Sequence, residues 1–198
     1  MGEITIEQIV SVDGYAADRG GGIGFFDDVD FGDQASADTE QMRWLGGVEA
    51  ILLGRRTYEM FADYWPHADP RVDAVAGPIS RLPKYVVSRT LERAPWGEGE
   101  IEILREGPER AARALTAQYG SVAVWGSLEL TDALFRAGLV DVLRLRIVPV
   151  LIGAGRTVAP PEIGGIPLEL IAGHRDANGI VTDEYRVRRS PRPAGATT

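Results

Sequence analysis

The sequence predicts a mixed α/β fold, with a mostly parallel sheet and an antiparallel end. Three observations lead there. Short apolar runs alternate with segments of helical period through residues 3–150. Glycines stand where two of those runs hand over to helices, at Gly54 and Gly126. Near the end, Asn178-Gly179 separates two strand-like runs, 166–173 and 180–187, and is the strongest short hairpin signal in the chain. With 198 residues, 44% hydrophobic and 25% charged, the chain can bury one sizeable core. One domain over residues 1–189 is expected, followed by a disordered, proline-bearing tail at 190–198.

Composition excludes several classes of function. A net charge of −8 argues against a nucleic-acid partner, whose phosphates call for clustered Lys and Arg. The chain has no cysteine, so disulfides and thiolate chemistry are out. Its two histidines, His67 and His174, lie far apart without Cys partners, and no metal is expected. No apolar run approaches the roughly 20 residues of a membrane span, and no basic-then-apolar leader is visible, so neither a membrane nor secretion is expected. A cytoplasmic protein is the expectation.

Residues 3–12 alternate with high β propensity (Ile4, Ile6, then Ile9 and Val10) and end in Ser11-Val12-Asp13-Gly14. Asp-Gly there is either an ordinary turn or the edge of a pocket. Residues 18–24 carry Gly20-Gly21-Gly22 and lead to Phe25-Phe26 and to Asp27, Asp28, Asp30 and Asp33. A long glycine-rich loop is a mobile lid or disorder, and the two phenylalanines favour a lid, since a solvated loop gains nothing from them. The acids lack calcium-loop spacing and read as a solvated face.

Ser36 can cap a helix that runs to Leu45 and stops at Gly46-Gly47. On it Asp38, Met42 and Leu45 share one face, while Glu40 and Arg43 form a surface pair. An acid on an apolar face has its pKa raised, as a proton relay at neutral pH requires; an acid in the first turn also suits the helix dipole, whichever way it points. Residues 49–54 form an apolar strand running into Gly54-Arg55-Arg56-Thr57, a helix N-terminus with cations that suits phosphate, unless the arginines are simply solvated. The helix buries Tyr58, Phe61, Ala62 and Trp65, and Pro66 ends it.

Asp69-Pro70 predicts the cap and start of a short helix reaching Ala76, with Gly77-Pro78 as its stop. A strand over 84–88 ends in Ser88-Arg89-Thr90, a second anion-suited end. Residues 94–99 read as loop, 100–104 as an edge-like strand and 108–119 as a helix. The run 121–125 is the next strand. Gly126 lets backbone approach a ligand there, and Ser127 can cap the helix that begins at Leu128, leaving first-turn N–H groups for an anion. Beyond Gly138 lies an apolar run broken by Arg144, Arg146 and Pro149, then Gly153-Ala154-Gly155.

Four ordered motifs then point to a family. They are Ser11-x-Asp13-Gly14; Leu53-Gly54-Arg55-x-Thr57-Tyr58-Glu59; Gly126-Ser127-x-x-Leu130 followed by Gly138-Leu139-Val140-Asp141; and Pro149-Val150-x-x-Gly153-x-Gly155. Together, over residues 4–187, they resemble the dihydrofolate reductase-like family, in the branch of the reductase domain of the riboflavin biosynthesis deaminase-reductase. The resemblance implies a three-layer fold with helices on both faces of the sheet, a homodimer and a flexible loop over the nicotinamide. It implies cofactor contacts at Gly54, Arg55, Arg56, Thr57, Ser88, Arg89, Thr90, Gly126, Ser127 and Leu128. It places the substrate-binding acid at Asp38, sixteen positions before Gly54, with Asp13 as second choice.

NADPH is favoured over NADH because two guanidiniums near one adenosine match a phosphate. The ordinary dinucleotide fingerprint is absent, since Gly20 to Gly24 have the wrong spacing. The expected activity is hydride transfer from NADPH to a small pterin-like or ribosylaminopyrimidine-like heterocycle. The rivals are a nucleotide-binding or flavin-binding module without turnover and a hydrolase, the latter needing a Ser paired with His67 or His174 outside any recognisable motif.

Overall fold

The computed structural model describes residues 2–27, 29 and 35–188, with only the backbone of residues 35–38. Among the described residues, eight strands form one sheet. They are β1 (Glu3–Ser11), β3 (Ala50–Gly54), β4 (Lys84–Val87), β7 (Glu102–Leu104), β8 (Ser121–Trp125), β9 (Val142–Val148), β11 (Leu168–Arg175) and β12 (Val181–Val187), and they stand side by side in the order β11-β12-β9-β1-β8-β3-β4-β7. Neighbours from β7 through β9 are parallel, and β12 pairs antiparallel with both β9 and β11. Two small ribbons were not expected. β2 (Tyr15–Ala17) pairs with β10 (Arg156–Thr157), and β5 (Pro95–Trp96) with β6 (Gly99–Glu100), inside what reads as loop.

β3 and β8 are apolar on both sides, and the sheet packs helices on both. Leu52, Val122, Val124, Ile4 and Ile6 meet α4 (Pro108–Gln118) and α5 (Leu128–Arg136). Ile51, Leu53, Ala123 and Trp125 meet α1 (Ala35–Leu45), α2 (Arg55–Tyr64) and α3 (Ala76–Arg81). Consecutive residues of β3 and β8 divide between the two cores, as the strand period of two requires. The three layers are therefore helix, sheet, helix.

Several local expectations change. Asp69 starts no helix: its carboxylate accepts from the N–H and guanidinium of Arg71, and its carbonyl from Val72 and Asp73, closing a turn. α3 begins later, and Gly77-Pro78 lies in its first turn, where proline's missing N–H has no intrahelical acceptor to lose. Ser36 is not the cap of α1, because the helix already includes Ala35. The buried face of α1 is Gln41 and Leu45, at 2% and 3% exposure, whereas Met42 is 36% exposed. Glu40 does pair with Arg43, but it turns inward as well, towards Arg144.

The described part of the glycine loop is tightly folded. Asp18 accepts from the N–H groups of Gly20 and Gly22, and a 3-10 turn follows at Gly24–Phe26. Phe25 is buried against Val148 and Ile180, with Ile23, Phe26 and Val150 around it. Asp28, Asp30 and Asp33, the expected acidic stretch, lie outside the described residues, as does the expected tail at 190–198.

Candidate functional site

The sheet has a topological switch beside β8. β8 continues into α5 on one face, while its neighbours β1 and β3 lead to α1 and α2 on the other. The chain leaves the carboxyl ends of these strands towards opposite faces, and such a switch point is where open α/β sheets usually form their ligand crevice.

Two strand-to-helix junctions interlock at that crevice. The Ser127 hydroxyl accepts from Gly54 N–H at 2.8 Å and donates to the Trp125 carbonyl at 3.1 Å. In return, Ser127 N–H donates to Thr57 Oγ1 at 3.0 Å. Gly126 N–H donates to the Glu7 carbonyl at 3.0 Å, and the Gln8 amide nitrogen donates to the Gly126 carbonyl at 2.6 Å. A Cβ on Gly54 would lie 3.1 Å from Ser127 Cβ, and one on Gly126 would lie 3.2 Å from the Thr57 side chain. Both glycines are thus required by close approach of the two turns.

This interlock corrects the reading of Ser127 as a helix cap. Its φ of 63° and ψ of 55° are left-handed, whereas a capping residue is extended, and its side chain turns to β3 instead. The N–H groups of Gly54, Gly126 and Ser127 are therefore committed to the protein. The donors left without an i−4 acceptor are the first-turn N–H groups: Arg55, Arg56 and Thr57 on α2, and Leu128, Glu129 and Leu130 on α5. The bonds between Gly54, Thr57 and Ser127 bring both sets to the same switch point.

Arginines flank them. Arg55 donates to Glu59 at 2.7 Å and to Thr90 Oγ1 at 2.9 Å, joining the start of α2 to the end of β4. Arg56 lies 3.8 Å from Glu129, across the two helix starts, with both side chains exposed. Arg89 and Thr90 face solvent, but Ser88 is buried, its hydroxyl accepting from the N–H groups of Thr90 and Leu91. Of the expected contacts, the structure brings together Gly54, Arg55, Arg56, Thr57, Thr90, Gly126, Ser127 and Leu128, and turns Ser88 into a structural brace.

On the α1 and α2 side, Trp125 stands edge-on to Trp44 of α1 and to Phe61 of α2, each at 5.6 Å. Beside it lies a cluster that sequence reasoning did not find. Arg144 Nη1 donates to Glu7 at 2.8 Å and to Gln41 at 2.9 Å, and Nε donates to Glu184 at 3.0 Å. The Gln41 amide donates to Glu7 at 2.8 Å. Arg144 and Glu7 are fully buried. The signal was present: charged residues inside central strands must be paired.

Asp38 lies on α1, but its side chain is outside the described residues. Asp13 is placed clearly. Its carboxylate accepts from Gly153 N–H at 2.8 Å and Ile152 N–H at 3.3 Å. The Ser11 hydroxyl first, then these backbone donors, hold its carboxyl below the usual range. Asp13 is accordingly a clasp between the end of β1 and the loop after β9, and a poor proton donor at neutral pH.

Comparison with known proteins adds to this geometry. A protein assigned to riboflavin biosynthesis in Shewanella sp. PV-4 superimposes with a TM-score of 0.75 at 18% identity, over 94% of this chain and 99% of that one. A diaminohydroxyphosphoribosylaminopyrimidine deaminase/5-amino-6-(5-phosphoribosylamino)uracil reductase from Thermotoga maritima gives 0.64 at 15% identity, over 94% of this chain and 57% of that one. Dihydrofolate reductase from Enterococcus faecalis, complexed with NADP(H), gives 0.61 at 12% identity, over 95% and 98%. These establish a shared dihydrofolate reductase-like fold. The model of the RibD C-terminal domain matches residues 3–182, and the chain belongs to that family.

Proposed function

We propose that the protein is an NADPH-dependent reductase acting on a C=N or C=O carbon of a small heterocycle of pterin or ribosylaminopyrimidine type. Family membership supports an oxidoreductase. The observation that carries the finer reading is the interlock of Gly54 with Ser127. It draws two helix N-termini together, and their first-turn N–H groups and Arg55 and Arg56 suit a pyrophosphate and a further phosphate. The residues present fit a dinucleotide, since the first-turn N–H groups of α2 and α5 have no intrahelical acceptor and no acid stands in the first turn of α2, while Glu129 in that of α5 lies beside Arg56.

When bound, NADPH supplies the hydride; the chain's own residues bind, orient and exclude water. Arg55 and Thr90 would receive the adenosine side, and the starts of α2 and α5 the diphosphate. The turn at Gly24–Phe26, anchored by Phe25, would shield the carboxyl ends of β1 and β9. Asp38 on α1 would orient the heterocycle or relay the proton, with Asp13 holding the adjoining loop. A homodimer is part of the proposal: every residue of β11, at the sheet edge, is exposed, including Leu168, Leu170 and Ile171. Light scattering of the purified protein would return a monomer mass if that is wrong.

The activity is tested by following NADPH oxidation with 7,8-dihydrofolate and with 5-amino-6-(5-phosphoribosylamino)uracil. Turnover of either at a rate lost in Asp38→Asn supports the reading. Absence of NADPH binding removes it.

A further inference from the structure

The buried cluster of Glu7, Gln41 and Arg144 is not needed to fill the space it occupies. The surrounding positions on the same face are apolar or aromatic: Leu45, Ile51, Ala123 and Trp125. A buried ion pair contributes little to stability compared with apolar residues of similar volume, although breaking one is costly. What such a cluster does supply is direction. Gln41 uses both ends of its amide, donating to Glu7 and accepting from Arg144. Arg144 also lies over the ring of Trp44, 4.7 Å from its centroid. Gln41 and Trp44 sit three apart on α1, so the sheet grips one helix face at two successive turns. A slip or rotation of α1 by one residue would keep the Glu7–Arg144 pair but take the Gln41 amide away from both.

We propose that Arg144, acting with Glu7 and Gln41, is a positioning residue that fixes the setting of α1 over the crevice. The substrate-side consequence rests on the reductase reading. Asp38 lies three residues before Gln41 on the same helix, so the Gln41 contacts decide where the Asp38 backbone stands. Glu7 itself pairs with Trp125, the last residue of β8, which puts the grip level with the carboxyl end of that strand. One guanidinium nitrogen, Nη2, has no hydrogen-bond partner among the described residues, and the Glu40 carboxylate lies 3.6 Å from it. The hold on α1 therefore runs through Gln41 and the Trp44 ring, with Glu40 adding attraction without directional bonding.

The test replaces the cluster by uncharged side chains, combining Glu7→Leu, Gln41→Leu, Arg144→Met and Glu184→Gln, so that no partner carboxylate of Arg144 Nε is left unpaired, and makes Gln41→Leu alone as a milder variant that leaves the bond between Glu7 and Arg144 in place. Hydrogen exchange of α1 amides is compared with that of α2. NADPH affinity and turnover of 7,8-dihydrofolate are measured alongside. The expected result is a melting point at or above wild type, with α1 amides exchanging about tenfold faster and α2 unchanged. NADPH affinity stays the same, and kcat falls by about 100-fold, with KM less affected. Unchanged α1 exchange in both variants overturns the proposal. So does a collapse of stability in Gln41→Leu with exchange rising everywhere, which would make the cluster an ordinary stabilising contact. A wild type that oxidises no NADPH sinks the reductase reading, and the exchange comparison still decides whether the cluster sets α1.

Discussion

The Ser127 hydroxyl and the Gly54 N–H, 73 positions apart in the chain, meet at 2.8 Å and tie the start of α5 to the end of β3. This bond holds Ser127 in a left-handed conformation that costs an L-residue about 1–2 kcal/mol. Two substitutions separate the gain from the strain. Ser127→Ala leaves the Gly54 N–H unpaired and keeps the strain, so it should lose about 1–3 kcal/mol in urea unfolding. Ser127→Gly loses the same bond but relieves the backbone, and should be about 1 kcal/mol more stable than the alanine variant. The reverse order would mean that strain is not stored there.

Gly126 makes the neighbouring approach. At its φ of +60°, an added Cβ would stand 3.2 Å from both Thr57 Oγ1 and Cγ2. Gly126→Ala should therefore cost about 1–3 kcal/mol and separate the two turns. A thermal melt of this variant should show a lower midpoint and a smaller rise on adding NADPH. An unchanged rise would place the ligand elsewhere.

Arg55 spans from α2 to Thr90 on the β4 end. If it receives the phosphate that distinguishes NADPH from NADH, Arg55→Ala should weaken NADPH binding about tenfold, or about 1.4 kcal/mol, and leave NADH nearly untouched. Fluorescence titration with both nucleotides checks this. Equal losses would make Arg55 a general contact.

Lys84 offers a pH test away from the crevice. It is buried, donates to the carbonyls of Ile79, Ser80 and Leu82 at the end of α3, and lies over Trp96. Desolvation nevertheless pushes its pKa from 10.5 down to about 8. Between those values the folded chain binds fewer protons at this site than the unfolded chain does, so the site makes stability rise as pH increases. The stability difference between wild type and Lys84→Met should therefore widen in favour of wild type from about pH 7 to about pH 10. A constant difference would show that the lysine keeps its ordinary pKa.

Much of the architecture was legible because it is local. Apolar runs of four or five residues ending in glycine gave β3 and β8, and Asn178-Gly179 gave the hairpin of β11 and β12. The start of α3 was not, because Asp69-Pro70 satisfies the local rules of a helix start, and Asp69 does accept the Arg71 N–H as a cap would, yet the chain makes a single turn closed at Asp73 and does not continue as helix. The ribbon at Pro95–Trp96 and Gly99–Glu100 has too few residues for any period to appear.

The site followed the same division. Gly54, Arg55, Thr57 and Gly126 announce themselves through turn chemistry. The role of Ser127 depends on a partner 73 residues away, and a serine before a helix reads as a cap. Glu7 and Arg144, 137 residues apart, look like interruptions of apolar strands until the parallel pairing of β1 with β9 sets them side by side.

The most direct test of the account is a thermal melt with NADPH, NADH and FMN in parallel. A ligand that binds only the folded chain stabilises it by about 2.7 kcal/mol at a hundredfold excess over Kd. A clear rise is expected with NADPH, a smaller one with NADH and none with FMN. No rise with either nicotinamide nucleotide, or a rise with FMN alone, would contradict it.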